Sequence, residues 1–96
     1  MGIRFSVDRE VQVVHLSDAL SDAEAGAIQF KLEEKFNQGR TRVVFELAKF
    51  DIQSAESRNR VGRMIEYCLN RNVLAACAGL EASHWPLIKA VSSKTF

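Results

Sequence analysis

The sequence is short of cysteine, proline and long apolar runs, and each shortage excludes a class of protein. Two cysteines among 96 residues are too few for a disulfide framework or a four-thiolate zinc site. No apolar run approaches the roughly 20 residues that a membrane-spanning helix needs. The N-terminus has no charged region followed by an apolar stretch, so no secretory signal is indicated. We therefore expect a cytoplasmic protein with two free thiols and no membrane insertion.

The sequence also lacks an excess of positive or of negative charge. Thirteen Lys and Arg residues oppose twelve Asp and Glu residues, which gives a formal net charge of +1. A dedicated nucleic-acid-binding protein usually shows a strongly basic face, so this balance argues against one. Hydrophobic residues make up 47% of the chain, which is enough for one core. We expect a single domain over residues 1–96.

Strand and helix patterns alternate along the chain. Such alternation is typical of an α/β layer fold, and we expect a mixed, mostly parallel sheet of four to five strands with about three helices. The first two strands are close enough in sequence to pair antiparallel. The apolar run at the third strand is typical of a strand that is covered on both faces. The predicted strands cover residues 3–7, 11–16, 43–47 and 73–78, and the last predicted helix covers about 85–91.

Two helices have clear N-terminal signals. Ser21 with Glu24 forms a capping-box pattern, and Ser54 is a second candidate N-cap. On the first helix, Phe30 lies on the side opposite the apolar stripe and is predicted to be a contact surface. The apolar stripes that should face the core are Ala25, Ile28, Leu32 and Phe36 on the first helix, and Ser57, Val61, Met64, Ile65, Cys68 and Leu69 on the second.

No catalytic or metal-binding motif is visible. His15 lies within a strand and His84 precedes the last helix, and neither has a motif partner. Cys68 and Cys77 both fall at apolar positions, so they are predicted to be buried thiols without a redox role. The sequence therefore predicts a protein that is not an enzyme and that binds no cofactor or metal.

Several segments resemble the STAS domain, a family named for sulfate transporters and anti-sigma factor antagonists. Residues 13–20 (VVHLSDAL) are similar to the family's entry into its first helix. Residues 42–48 (RVVFELA) resemble its central strand, and Glu46 stands where the family usually has Asp. Residues 73–80 (VLAACAGL) are similar to its last strand, and the final Lys94-Thr95-Phe96 resembles its usual close.

The resemblance implies a regulatory role through protein binding. In anti-sigma factor antagonists, a serine kinase phosphorylates an Asp-Ser-Ser/Thr-Gly motif at the start of the second helix. In this chain Ser54-Ala55-Glu56-Ser57 aligns with that motif, so Glu56 occupies the acceptor position. A fixed carboxylate there partly imitates phosphoserine, so the resemblance implies a switch that is constitutive rather than controlled by phosphorylation. The expected partner is a protein such as an anti-sigma factor with serine-kinase activity. The expected contact residues are Ser54, Ala55, Glu56, Ser57, Asn59, Arg60 and Arg63, with Asp18, Ala19 and Phe30 as a secondary surface.

Two alternative functions remain open on the sequence. STAS domains are also described as modules for nucleotides or other small ligands, and Arg58, Arg60 and Arg63 could collect an anion here. The chain could instead be a STAS subunit of a membrane transport assembly. An exposed edge strand together with Phe30 makes a homodimer a further expectation.

Overall fold

The computed structural model describes residues 2–80, which form four strands and two helices. The strands are β1 (Gly2–Asp8), β2 (Val11–Asp18), β3 (Arg42–Phe50) and β4 (Leu74–Ala78). The helices are α1 (Asp22–Asn37) and α2 (Ala55–Asn70). The predicted α/β class is confirmed, and the sheet has four strands in this part of the chain. The third predicted helix, with His84 and the C-terminal segment that resembles the STAS close, falls outside the described residues.

The sheet is mixed and its strands follow chain order, β1-β2-β3-β4. β1 pairs antiparallel with β2, and the turn between them places Arg9 and Glu10 at positive φ, as a tight hairpin requires. The β2–β3 and β3–β4 pairs are parallel. Parallel neighbours joined through a helix are connected right-handedly. Because both crossovers advance in the same direction, α1 and α2 lie on the same face of the sheet.

The core lies between that face and the two helices. Along β3, Val43, Phe45 and Leu47 are buried, whereas Val44 and Glu46 on the other face are only half-buried. Within residues 2–80, both helices cover the same side of β3, so the coverage of its second face stays a prediction. The core that these strands share with α1 and α2 includes Val14, Leu16, Ile28, Leu32, Val61, Met64, Ile65 and Cys68.

Local signals start both helices where the sequence predicts. The Ser21 side chain accepts from the Glu24 amide and the Glu24 carboxylate accepts from the Ser21 amide, so the capping box is complete. The hydrogen bond from the Ser21 amide, followed by the interaction with the Ser21 hydroxyl, lowers the pKa of the Glu24 carboxyl. Ser54 caps α2, with its Oγ accepting from the Ser57 amide at 3.2 Å. Both predicted N-caps are confirmed.

Candidate functional site

The residues expected to bind a partner meet at the carboxyl edge of the two central parallel strands. The loop after β2 and the loop after β3 lie side by side there, and the Asp51 amide donates to the Asp18 carbonyl at 3.0 Å. In α/β sheets, loops at the carboxyl ends of parallel strands are the usual place for binding sites. We define the α2 N-terminal surface as the exposed part of this edge: Asp18, Ala19, Ala55, Glu56, Asn59 and Arg63.

Asp18 shapes the loop between β2 and α1. Its φ is +61°, a left-handed conformation that Asp adopts more readily than most residues. This backbone turn leads the chain from β2 through Ala19 into Leu20, which is 2% exposed. Asp18 and Ala19 themselves remain exposed beside the start of α2. The structure therefore brings these two predicted residues to the same surface as Glu56.

Ser57 is not on that surface, which corrects its assignment as a contact residue. It is 1% exposed, and its Oγ accepts from the Leu20 amide at 2.9 Å and lies 3.5 Å from the Leu20 carbonyl oxygen. A buried loop amide needs such a partner because no water can replace it. The Ser57 hydroxyl thus fastens the β2–α1 loop to α2 and does not face an incoming protein.

Arg60 provides a second fastening between the same two elements. Its Nε donates to Asp22 Oδ1 at 2.8 Å, and its Nη1 donates to the Leu20 carbonyl at 2.8 Å. Glu56 lies one turn earlier on α2, with Oε2 3.7 Å from Arg60 Nη2. The hydrogen bond from Arg60 lowers the pKa of Asp22, because it stabilises the charged carboxylate. Arg60 is therefore half-buried and committed to contacts within the domain.

The expected cluster of three arginines for an anion is not assembled. Arg58 donates from Nη1 to the Ile52 carbonyl at 2.8 Å and to the Gln53 carbonyl at 3.3 Å. Arg60 is held by Asp22 and Leu20 as described above. Within residues 2–80, Arg63 alone of the three makes no ion pair or hydrogen bond. Two of the three guanidiniums thus stabilise loops. The spacing of the three arginines therefore no longer supports the alternative of an anion-binding site.

Glu56 is the most exposed charged group at the start of α2. Its side chain is 82% exposed, and it lies in the first turn, where the helix dipole favours a negative charge. Asn59 and Arg63 follow on the exposed side of the same helix. The α2 N-terminal surface therefore carries two carboxylates, those of Asp18 and Glu56, and one guanidinium, that of Arg63. The loop beneath it is held by Ser57 and Arg60.

Phe30 belongs to a different surface from Asp18 and Ala19. It is 70% exposed, as the helical pattern predicts. It lies eight residues beyond the start of α1, which is about 12 Å along the helix. There it lines a groove of about 350 Å³ between α1 and α2, together with Gly26, Gln29, Glu33 and Tyr67. The single secondary surface expected from the sequence is therefore two surfaces.

A polar network on the face of the sheet opposite α1 and α2 was not predicted. Ser6 Oγ lies 2.9 Å from His15 Nε2, and His15 Nδ1 lies 3.4 Å from Glu46 Oε1. Arg4 Nη2 approaches the same Nδ1 at 3.5 Å, so a cation and a carboxylate meet one ring nitrogen. This arrangement ties three neighbouring strands together through cross-strand contacts, which stabilise sheets. Only the strand register reveals it, because His15 and Glu46 are 31 residues apart.

The predicted burial of the thiols is confirmed for Cys68 and only in part for Cys77. Cys68 is fully buried and Cys77 is half-buried, and both are free. Burial raises the pKa of each thiol to about 12. The reactive thiolate is therefore scarce at neutral pH.

Comparisons with known proteins support the fold and identify no family. No protein-family model matches the chain, and no curated protein matches it. A solved structure described as "Crystal Structure Analysis of Mglu" is similar to it, with a TM-score of 0.65 at 18% sequence identity. The match covers 82% of this chain but only 20% of that one, so this chain spans a fifth of that protein's length. Within residues 2–80, no helix combines the length and the hydrophobicity that spanning a membrane requires.

Proposed function

We propose that this chain is a regulatory protein-binding domain of the STAS type, without enzymatic activity, that binds its partner through the α2 N-terminal surface. A protein of the anti-sigma serine-kinase class is the first candidate partner, because the sequence resembles anti-sigma factor antagonists. In this proposal Glu56 makes binding constitutive, since a carboxylate cannot accept a phosphoryl group as serine does.

The observation that carries the proposal is the contrast between Glu56 and Ser57. Glu56 projects into solvent, whereas the neighbouring hydroxyl of Ser57 is buried and bonded to Leu20. Ser54 is half-buried and its hydroxyl caps the helix. A kinase that approached this helix end would meet a carboxylate, with both nearby hydroxyls already engaged. This supports a binding surface of fixed charge.

Rigidity of the surface supports the same proposal. Leu20 contacts α2 through three polar interactions, two with Ser57 and one with Arg60. Asp51 adds a backbone hydrogen bond between the two loops. A surface held in this way loses little conformational freedom when a partner binds, which favours affinity.

Site-specific photocrosslinking tests the location of the surface. A benzophenone amino acid replaces Glu56 in one variant and the exposed Gln38 in a matched control. Gln38 follows α1 at the opposite end of the sheet. We expect a protein adduct formed in the source cell at position 56 and none at position 38. Equal adducts at both positions, or none at position 56, would contradict the proposed surface.

The captured partner then tests the role of the charge. Removing one exposed charge at an interface edge should weaken binding about 2- to 5-fold, so Glu56→Gln should show that loss in calorimetry. Glu56→Ser should lose the same affinity and, if the partner is a serine kinase, should gain phosphate at position 56 by mass spectrometry. Unchanged affinity in both variants would exclude a role for Glu56.

A further inference from the structure

We infer that the sheet face opposite α1 and α2 carries a proton-dependent binding site for a small dianion, formed by Arg4, His15 and Lys49. The site shares no residue with the α2 N-terminal surface and does not depend on the proposed function. It is a cavity of about 390 Å³ at the place where the amino end of β1 meets the carboxyl ends of β2 and β3. Its lining includes Gly2, Arg4, His15, Ser17, Glu46 and Lys49.

The permanent charges around this cavity leave a surplus cation. Within residues 2–80, Arg4 and Lys49 line it as exposed cations and Glu46 lines it as a carboxylate. Lys49 makes no ion pair or hydrogen bond with the other residues of this part of the chain. The Glu46 carboxylate is already engaged, since its Oε2 accepts from the Ala48 amide at 2.6 Å. A cleft with a surplus of one sign of charge attracts ions of the other sign.

His15 decides whether Arg4 is free to bind such an ion. The His15 Nδ1 atom lies 3.5 Å from Arg4 Nη2 and 3.4 Å from Glu46 Oε1. An unprotonated Nδ1 accepts from the guanidinium of Arg4, which can only donate. A protonated ring carries a hydrogen on both nitrogens, so Nδ1 then donates to Glu46 and Arg4 loses its acceptor. The other ring nitrogen, Nε2, keeps its contact with Ser6 Oγ at 2.9 Å in both states, because a hydroxyl both donates and accepts.

Protonation of His15 therefore adds one charge to the cavity and frees a second. The charged groups that face the ring within residues 2–80 are Arg4 from β1 and Glu46 and Lys49 from β3. With a neutral ring, two cations oppose one carboxylate, which is a surplus of one positive charge. With a protonated ring, three cations oppose the same carboxylate, and the surplus of two matches a dianion. Histidine is the side chain that changes charge between about pH 5 and pH 8, so binding should depend on pH in that range.

Nuclear magnetic resonance of the full 96-residue chain tests the site with oxalate, which stays a dianion over this range. We expect oxalate to shift the signals of Arg4, His15 and Lys49. It should bind about 2- to 5-fold more tightly at about pH 5.5 than at about pH 8, because protonation adds one exposed charge pair. By reciprocity, oxalate should raise the proton affinity of His15 by the same factor. Acetate at the same ionic strength is the monoanion control and should bind more weakly.

Variants separate the site from a general effect of charge. Arg4→Gln and Lys49→Gln should each weaken oxalate binding about 2- to 5-fold. Arg42→Gln removes an exposed cation at the amino end of β3 and should leave binding unchanged. His15→Gln should keep the weaker binding of the neutral ring and lose the dependence on pH. The same spectra report whether each variant is folded.

Three results would overturn the inference. Oxalate that shifts Arg58 and Arg63 of α2, or that shifts none of the three cavity residues, would contradict the location of the site. An equal loss of binding in Arg42→Gln would show that only the net charge of the chain acts. A dependence on pH that persists in His15→Gln would remove His15 from the mechanism.

Discussion

Replacing Ser57 by alanine isolates the contact that holds the β2–α1 loop against α2. The substitution removes the hydroxyl that accepts from the Leu20 amide at 2.9 Å. Leu20 is 2% exposed, so no water molecule can replace the hydroxyl as the acceptor for its amide. The Leu20 carbonyl keeps its hydrogen bond from Arg60 Nη1 at 2.8 Å, so a single donor loses its partner.

The magnitude follows from that single donor. A lost intramolecular hydrogen bond costs about 1 kcal/mol, and leaving a buried donor unsatisfied costs about 1–3 kcal/mol in total. We expect Ser57→Ala to lower the free energy of unfolding by about 2 kcal/mol. For a domain of this size, that loss corresponds to a fall of about 8–16 °C in the melting temperature.

Urea denaturation followed by circular dichroism measures this loss, and Ser54→Ala is the matched control. Ser54 caps the same helix from a half-buried position, and removing an N-cap costs about 1 kcal/mol. The slope of the unfolding free energy against urea should stay the same in both variants. If Ser57→Ala costs less than about 0.5 kcal/mol, or less than Ser54→Ala, the hydroxyl does not hold the loop and the rigidity argument fails.

Two further predictions concern glycines and thiols. Gly26→Ala should raise the free energy of unfolding by about 0.5–1 kcal/mol, because the new methyl group meets open space inside a helix. Gly79→Ala should lower the free energy of unfolding by more than about 1 kcal/mol, since Gly79 has a φ of +82° and the new Cβ would lie 2.5 Å from Glu46 Oε2. Denaturant titration of the two glycine variants should therefore give changes of opposite sign. Both thiols should react slowly with Ellman's reagent at pH 8, because burial raises the pKa of each thiol to about 12. Urea should accelerate the reaction by exposing the thiols. Fast labelling of the folded chain would refute their protection.

The parts of the fold that follow local rules could be predicted from the sequence. The cap residues Ser21 and Ser54 define helix starts through hydrogen bonds to amides three residues away, so a short segment holds the whole signal. The apolar stripe of each helix likewise needs only the 100° repeat. The coverage of β3 could not be predicted in this way, because it depends on the direction in which two crossovers advance.

The site was harder to predict because its contacts join distant segments. Arg58 and Arg60 are spaced like members of a cationic patch, but their guanidiniums reach loop carbonyls and Asp22. Nothing in the spacing of arginines along α2 indicates that Leu20, 40 residues earlier, accepts from one of them. The network of Ser6, His15 and Glu46 has the same origin, since it exists only once three strands are in register.

The contrast between positions 56 and 57 shows which kind of sequence argument to prefer when two disagree. The helical repeat placed Ser57 at the head of the buried stripe of α2, whereas the alignment with a phosphorylation motif placed it on the partner surface. The structure agrees with the repeat, because adjacent helical residues point about 100° apart and only one of the two can face solvent here. Since the exposed position holds Glu56, the charge of this helix end is fixed. In the proposed function, partner binding is therefore controlled by protein concentration, and a kinase has no exposed acceptor at this site.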